Sequence, residues 1–225
     1  MKLPSIENEL KKLGYWNDIY SKENYFGTGQ TILANLAKEL IDKHSAKKIL
    51  ELGCGQGRDS IFFADCGYDI TAIDISENAI KFVEKIKNEH NLTNLELFVH
   101  DVKKSFNFLN NKFDLIYSNL ALQFFELSQL DNIFSSINDI MNDDSLFLFS
   151  TKKPGDKYFN FGNKISENAF EYKGITRFFF DKPQLENTLK NFFNIIFLEE
   201  DKHVNPDGTE SVWWKILVKK YSNGR

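Results

Sequence analysis

The chain has 225 residues, 42% hydrophobic and 27% charged, which is enough apolar material for one sizeable core within a single domain over 1–225. A formal charge of −4 gives no overall cationic character, so nucleic acid is disfavoured as a partner and a small molecule is the better expectation. There is no run of about 20 apolar residues and no unbroken apolar stretch follows Lys2, so neither a membrane span nor a secretory leader is expected and the setting reads as cytoplasmic.

Residues 1–29 form an N-terminal segment rich in aromatics, among them Tyr15, Trp16, Tyr20 and Tyr25, that is expected to lie outside the sheet and cap the active site. A helix is predicted over 30–43, where Ile32, Leu33, Leu36, Ala37, Leu40 and Ile41 share one face. Then follow a strand at 48–52, a helix at 57–66, a strand at 69–74 and a helix to about His90, with Ser76 as its N-cap. Strands at 95–99 and 113–118, a helix at 128–141 and a strand at 145–150 complete five strands in βαβ order, an α/β doubly wound and mostly parallel sheet.

Residues 152–181 break the rhythm. They contain Pro154, Gly155, Gly162 and Gly174, show no sustained period and are expected to form a substrate lid. A last helix at 182–191 leads to runs at 192–199 and 211–219, joined by Asn205-Pro206-Asp207-Gly208, which predicts an antiparallel C-terminal hairpin at the sheet edge. Neither Cys54 nor Cys66 has a metal-ligand or redox spacing, so no metal and no disulfide are expected.

The chemistry concentrates after the first strand, in Gly53-Cys54-Gly55-Gln56-Gly57. A glycine turn between a parallel strand and a helix lets a ligand approach the backbone, but it does not choose the ligand. The dinucleotide pattern needs glycine at position 58, where Arg58 stands, and this weakens a nicotinamide reading. Asp74 ends the second strand, where an acid can accept the hydroxyl hydrogens of a ribose.

Four segments in order, Glu51 to Gly57, Ala72 to Ser76, His100-Asp101-Val102 and Phe113 to Asn119, resemble the successive motifs of class I S-adenosylmethionine (SAM)-dependent methyltransferases. The resemblance implies a seven-stranded Rossmann-like methyltransferase sheet whose last strand is antiparallel. It also implies SAM as cofactor, with Gly53, Cys54, Gly55 and Gly57 at the turn and Glu51 near the amino group. Asp101 would meet the adenine amino group, with Val102 and Ile75 beside the ring and Asn119 under the methionine part. Arg58 would pair with Glu51 or meet a substrate anion. Trp16 and Tyr20 are expected beside the sulfonium, whose charge aromatic faces tolerate.

Cys54 to Ser60, Ala64 to Tyr68 and His203 to Gly208 are similar to the tellurite-resistance type of small-molecule methyltransferase. Val204 stands where an arginine commonly follows the histidine in that group, and 152–181 is longer. His203 is the expected general base and Arg177 the expected contact to the acceptor from the lid. A small-molecule methyl acceptor is the reading at this point, with room for a homo-oligomer; methylation of protein or nucleic acid, and a SAM-binding module without turnover, stay open.

Overall fold

The computed structural model describes residues 4–44, 47–109 and 112–221, so residues 1–3 of the expected cap and 222–225 lie outside the described residues. The helices are α1 (Pro4–Ile19), α2 (Ile32–His44), α3 (Arg58–Asp65), α4 (Glu77–His90), α5 (Leu127–Ile140) and α6 (Lys182–Leu189). The strands are β1 (Lys48–Leu52), β2 (Asp69–Asp74), β3 (Leu95–Val99), β4 (Phe113–Asn119), β5 (Met141–Lys152), β6 (Asn163–Ser166), β7 (Ala169–Tyr172), β8 (Ile175–Phe178), β9 (Phe193–Val204) and β10 (Glu210–Lys220). Among the described residues no helix is long and apolar enough to cross a membrane.

Seven strands form one sheet in the order β3-β2-β1-β4-β5-β10-β9. Strands β1 to β5 pair in parallel, and β10 runs antiparallel to both β5 and β9. The expected hairpin is present, with β9 at the edge and β10 inserted beside β5. Successive residues of the central strands alternate between two cores. Leu50, Leu52, Ile116, Phe147 and Phe149 pack with α5 and α6, while Ile49, Ile70, Leu115, Tyr117 and Leu148 pack with α2, α3 and α4. A sheet buried on both faces needs apolar residues at every position, which is why its strands carry near-continuous apolar runs.

The strand order reverses between β1 and β4, and this switch point opens at the carboxyl edge of the parallel strands, where such sheets bind ligands. Helix α4 reaches that edge through its cap, with the Ser76 hydroxyl accepting from Ala79 N at 3.3 Å.

One expectation needs correction. Segment 152–181 is not aperiodic loop throughout: β6, β7 and β8 form a three-stranded antiparallel sheet. Its strands are four residues each, too short to register as alternation, and Lys173 and Gly174, both at positive φ, make the two-residue turn between β7 and β8. The N-terminal cap is mostly the helix α1, whose polar sequence hides it because its apolar positions are only partly covered.

Candidate functional site

The glycine turn is folded by its own backbone: Gly53 N and Cys54 N both donate to Ile73 O, and Gly57 N donates to Cys54 O. Gly53 sits at φ 71°, and a Cβ there would lie 2.5 Å from the Ala121 Cβ. Gly55 sits at φ 54°, and a Cβ would lie 2.7 Å from the Tyr20 hydroxyl. Both positions therefore disfavour a side chain by conformation, and Gly53 excludes one by space as well. Cys54 turns its side chain into the core beside α2 and α3, so only its backbone is left for a ligand, and burial pushes its thiol up.

Asp74 is buried at the end of β2. Its Oδ2 accepts Gly55 N and its Oδ1 accepts Ser76 N, each at 2.9 Å. Burial raises this carboxyl, and the backbone donors of Ser76, Gly55 and Ile75 oppose the rise. The two carboxylate oxygens carry four lone pairs between them, so acceptor capacity remains for a ribose hydroxyl.

Glu51 is 3% exposed and accepts the Ser60 hydroxyl. Burial, and then repulsion from Asp59, hold its carboxyl well above the usual range. Arg58 does not neutralise it. The guanidinium instead donates from Nε to Gly29 O at 2.8 Å and from its NH1 nitrogen to Phe26 O at 2.6 Å, correcting the expectation that it pairs with Glu51.

Arg58 belongs to a set of ties that fasten 17–31 across the turn. Gln56 donates to Lys22 O and accepts from Tyr25 N. Asp59, also buried, accepts Thr31 N, the Thr31 hydroxyl and the Tyr117 hydroxyl, at 2.8, 2.8 and 2.6 Å. Asn17 accepts the Ser76 hydroxyl at 2.6 Å. The ties bring Tyr20 to Gly55, and Trp16 stacks on Tyr20 at 5.9 Å behind it. Burial, and then the Asp74 carboxylate, push the Tyr20 phenol well up, so it stays a neutral hydroxyl there.

Asp101 follows β3 and accepts Lys103 N at 3.0 Å, while Lys103 also reaches Glu9 of α1. Val102 is buried and Ile75 half-buried. Asn119 ends β4 and accepts the Ser150 hydroxyl at 2.6 Å; that same hydroxyl accepts Leu120 N.

Segment 152–181 is rooted by a buried ion pair that sequence reasoning missed. Lys152 Nζ lies 2.5 Å from Asp156 Oδ2, with side-chain exposures of 6% and 0%. The Asp156 carboxylate also accepts Val212 N and Tyr158 N. Tyr158, so placed, lies 4.9 Å below the Arg177 guanidinium, and Phe124 lies 5.7 Å from it. Phe124 in turn meets Trp16 edge-on at 4.9 Å. Arg177 thus faces the same aromatic row as the glycine turn.

His203 does not. Asn119 is level with Ser150, Ser150 with Lys215 and Lys215 with Glu199, so His203 lies three strands across and four residues beyond. At strand spacings that is about 14 Å sideways and about 13 Å further along. The histidine is exposed on the edge strand and not at the turn, which corrects its expected role as base. The strand-end position was right; the sheet order removes it from the site.

The residues suit a ligand with a diol and a cationic group. Glu51 and Asp74 are buried acids, and no salt bridge to either is found among the described residues. A cationic group on the ligand would relieve their burial.

A curated relative from Haemophilus influenzae, described as "Probable S-adenosyl-L-methionine-dependent methyltransferase TehB", is 32% identical over 145 residues, covering 63% of this chain and 48% of its own length. The chain thus spans about half the length of the curated relatives it matches first. The crystal structure of TehB from Haemophilus influenzae superposes with a TM-score of 0.66 at 21% identity, over 92% of this chain and 67% of that one. Magnesium protoporphyrin IX methyltransferase from Synechocystis, solved with bound SAM, gives 0.68 at 14% identity, over 98% of this chain and all (100%) of that one. At these identities the two structures establish the methyltransferase fold. The model of the family described as tellurite resistance protein TehB matches residues 17–159, and this chain belongs to that family.

Proposed function

We propose that this chain transfers a methyl group from SAM to a small-molecule acceptor and releases S-adenosylhomocysteine. The observation that carries the reading is the pair of buried, cation-free carboxylates, Glu51 and Asp74, on either side of a glycine turn that excludes side chains. Membership of the TehB family supports it.

In this reading Gly53, Cys54, Gly55 and Gly57 present backbone to the cofactor and Asp74 accepts from its ribose. Glu51 faces the amino group, Asp101 the adenine amino group, Ile75 and Val102 the ring, and Asn119 the methionine part. Trp16 and Tyr20 wall the charged sulfur.

SAM supplies a methyl already bonded to a good leaving group, so alignment and exclusion of water are what the protein must add. The acceptor's lone pair forms the new bond to carbon, the sulfur–methyl bond breaks with its electrons left on sulfur, and any proton on the acceptor passes to water. The cap excludes water through the ties of Gln56, Arg58 and Asp59, and the 152–181 lid bounds the acceptor side. Incubation with SAM and a panel of small acceptors should form S-adenosylhomocysteine with at least one; tight SAM binding with no turnover on any would leave a binding module instead.

A further inference from the structure

We infer that residues 9–30 are the cofactor's gate: this stretch lifts off the glycine turn about Thr31, unfastening from Gln56 and Arg58, to let SAM in and S-adenosylhomocysteine out. The inference rests on the methyl-transfer reading and adds the route by which the cofactor reaches its site.

The acids that meet the cofactor are covered. Glu51 is 3% exposed and Asp74 7%, so a ligand that touches both carboxylates needs the cover removed. Over Asp74 that cover is the cap. The two N–H groups that hold the Asp74 carboxylate at 2.9 Å belong to Gly55 and Ser76. Both residues lie under cap side chains. A Cβ on Gly55 would meet the Tyr20 hydroxyl at 2.7 Å, and the Ser76 hydroxyl donates to Asn17 Oδ1 at 2.6 Å. Asn17 O also accepts Asn78 Nδ2 at 3.0 Å.

The cover is held in a way that lets it open. None of residues 9–30 is fully buried, whereas Leu33, Ala34, Ala37 and Ile41 of α2 are. Little apolar area is therefore exposed when the stretch departs, and polar ties hold it instead. Gln56 bonds Lys22 O and Tyr25 N, Arg58 bonds Phe26 O and Gly29 O, and Lys103 donates to Glu9. Water replaces such bonds when they break, so each is worth only about 0.5–1.5 kcal/mol net. Segments with few buried contacts and solvent-facing hydrogen bonds are the ones that open locally.

The boundary falls at Thr31. Its N–H and its hydroxyl both donate to the buried Asp59 at 2.8 Å, and its hydroxyl accepts Ala34 N at 3.1 Å at the start of α2. Asp59 thereby fixes the pivot to the core. Two residues earlier, Gly29 sits at φ 79° with nothing within 4 Å of where a Cβ would be, so the chain can swing there without meeting the core.

Two measurements on the whole chain test the gate. In hydrogen exchange of the ligand-free native chain, the Tyr25 and Gly27 amides, bonded to Gln56 and Asn24 O, should exchange at least about 100-fold faster than those of Ala37 to Ile41 in α2. Saturating S-adenosylhomocysteine should slow them. In exchange of tritiated S-adenosylhomocysteine, Arg58→Met and Gln56→Ala should each speed both association and release about 10-fold, the effect of losing two such bonds. Their ratio should stay within about threefold of native, because these side chains hold the gate and touch no ligand. Three results overturn the inference: Tyr25 and Gly27 exchanging as slowly as α2, both rates native in both variants, or release alone quickening so that affinity falls in step. No S-adenosylhomocysteine bound by the native chain removes the methyl-transfer reading, and the cofactor gate with it.

Discussion

Replacing Asp156 by Asn leaves the Lys152 ammonium buried without a counter-charge. At 2.5 Å, with an effective dielectric near 20, the native pair attracts by about 7 kcal/mol, most of it offset by the cost of taking two charges out of water. Removing one partner keeps the cost and loses the attraction, so Asp156→Asn should destabilise by about 3–5 kcal/mol. For a chain of 225 residues that lowers Tm by about 6–20 °C. Lys152→Met in the Asp156→Asn background removes the stranded charge and should raise the melting temperature again.

The pH dependence of Asp156→Asn follows from Lys152. Burial already holds this ammonium below the usual 10.5, and loss of Asp156 lowers it further. The unfolded chain then binds the proton more tightly than the folded one, so the variant gains stability as pH rises through the lowered value towards 10.5. Thermal unfolding across this range is the assay. A change in Tm under about 2 °C for Asp156→Asn, or a double variant that melts below it, would refute a buried pair.

Two further outcomes follow from the glycine turn and its acids. Glu51 holds its proton above the usual 4.5 in the folded chain, so the ligand-free protein should lose stability as pH rises from 4.5 through the raised value, and Glu51→Gln should flatten that slope. If SAM brings a cation to Glu51, binding releases a proton; titrations in buffers of differing ionisation enthalpy should show this in the native chain and not in Glu51→Gln. Gly53→Ala should cost more stability than Gly55→Ala. Both carry the left-handed penalty of about 1–2 kcal/mol, but the first drives a Cβ against the fixed Ala121 Cβ, while the second meets the movable end of Tyr20. Thermal melts giving the reverse order would contradict the packing described.

The parts legible in the sequence are those that local pattern encodes. Strands β1, β2 and β3 and helix α4 fall where apolar runs, glycines and the Ser76 cap place them. Asp74 and Glu51 were legible because each sits at a fixed offset from the glycine turn. The three-stranded sheet in 152–181 escaped because four-residue strands carry too little alternation. Asp59 was missed because its partners, Thr31 and Tyr117, are 28 and 58 residues away, and the Arg177 clamp because its two rings come from separate segments. His203 shows the opposite error: the strand end was located, but a strand's place in the sheet order is a tertiary property.

The most direct test of the account is calorimetric titration of SAM, with NAD as competitor, into the native chain and Asp74→Asn. The account predicts that SAM binds, that NAD does not displace it, and that Asp74→Asn weakens binding about 10- to 100-fold, the worth of a charge-assisted hydrogen bond to the ribose. SAM affinity unchanged in Asp74→Asn, or NAD bound more tightly than SAM, would contradict it.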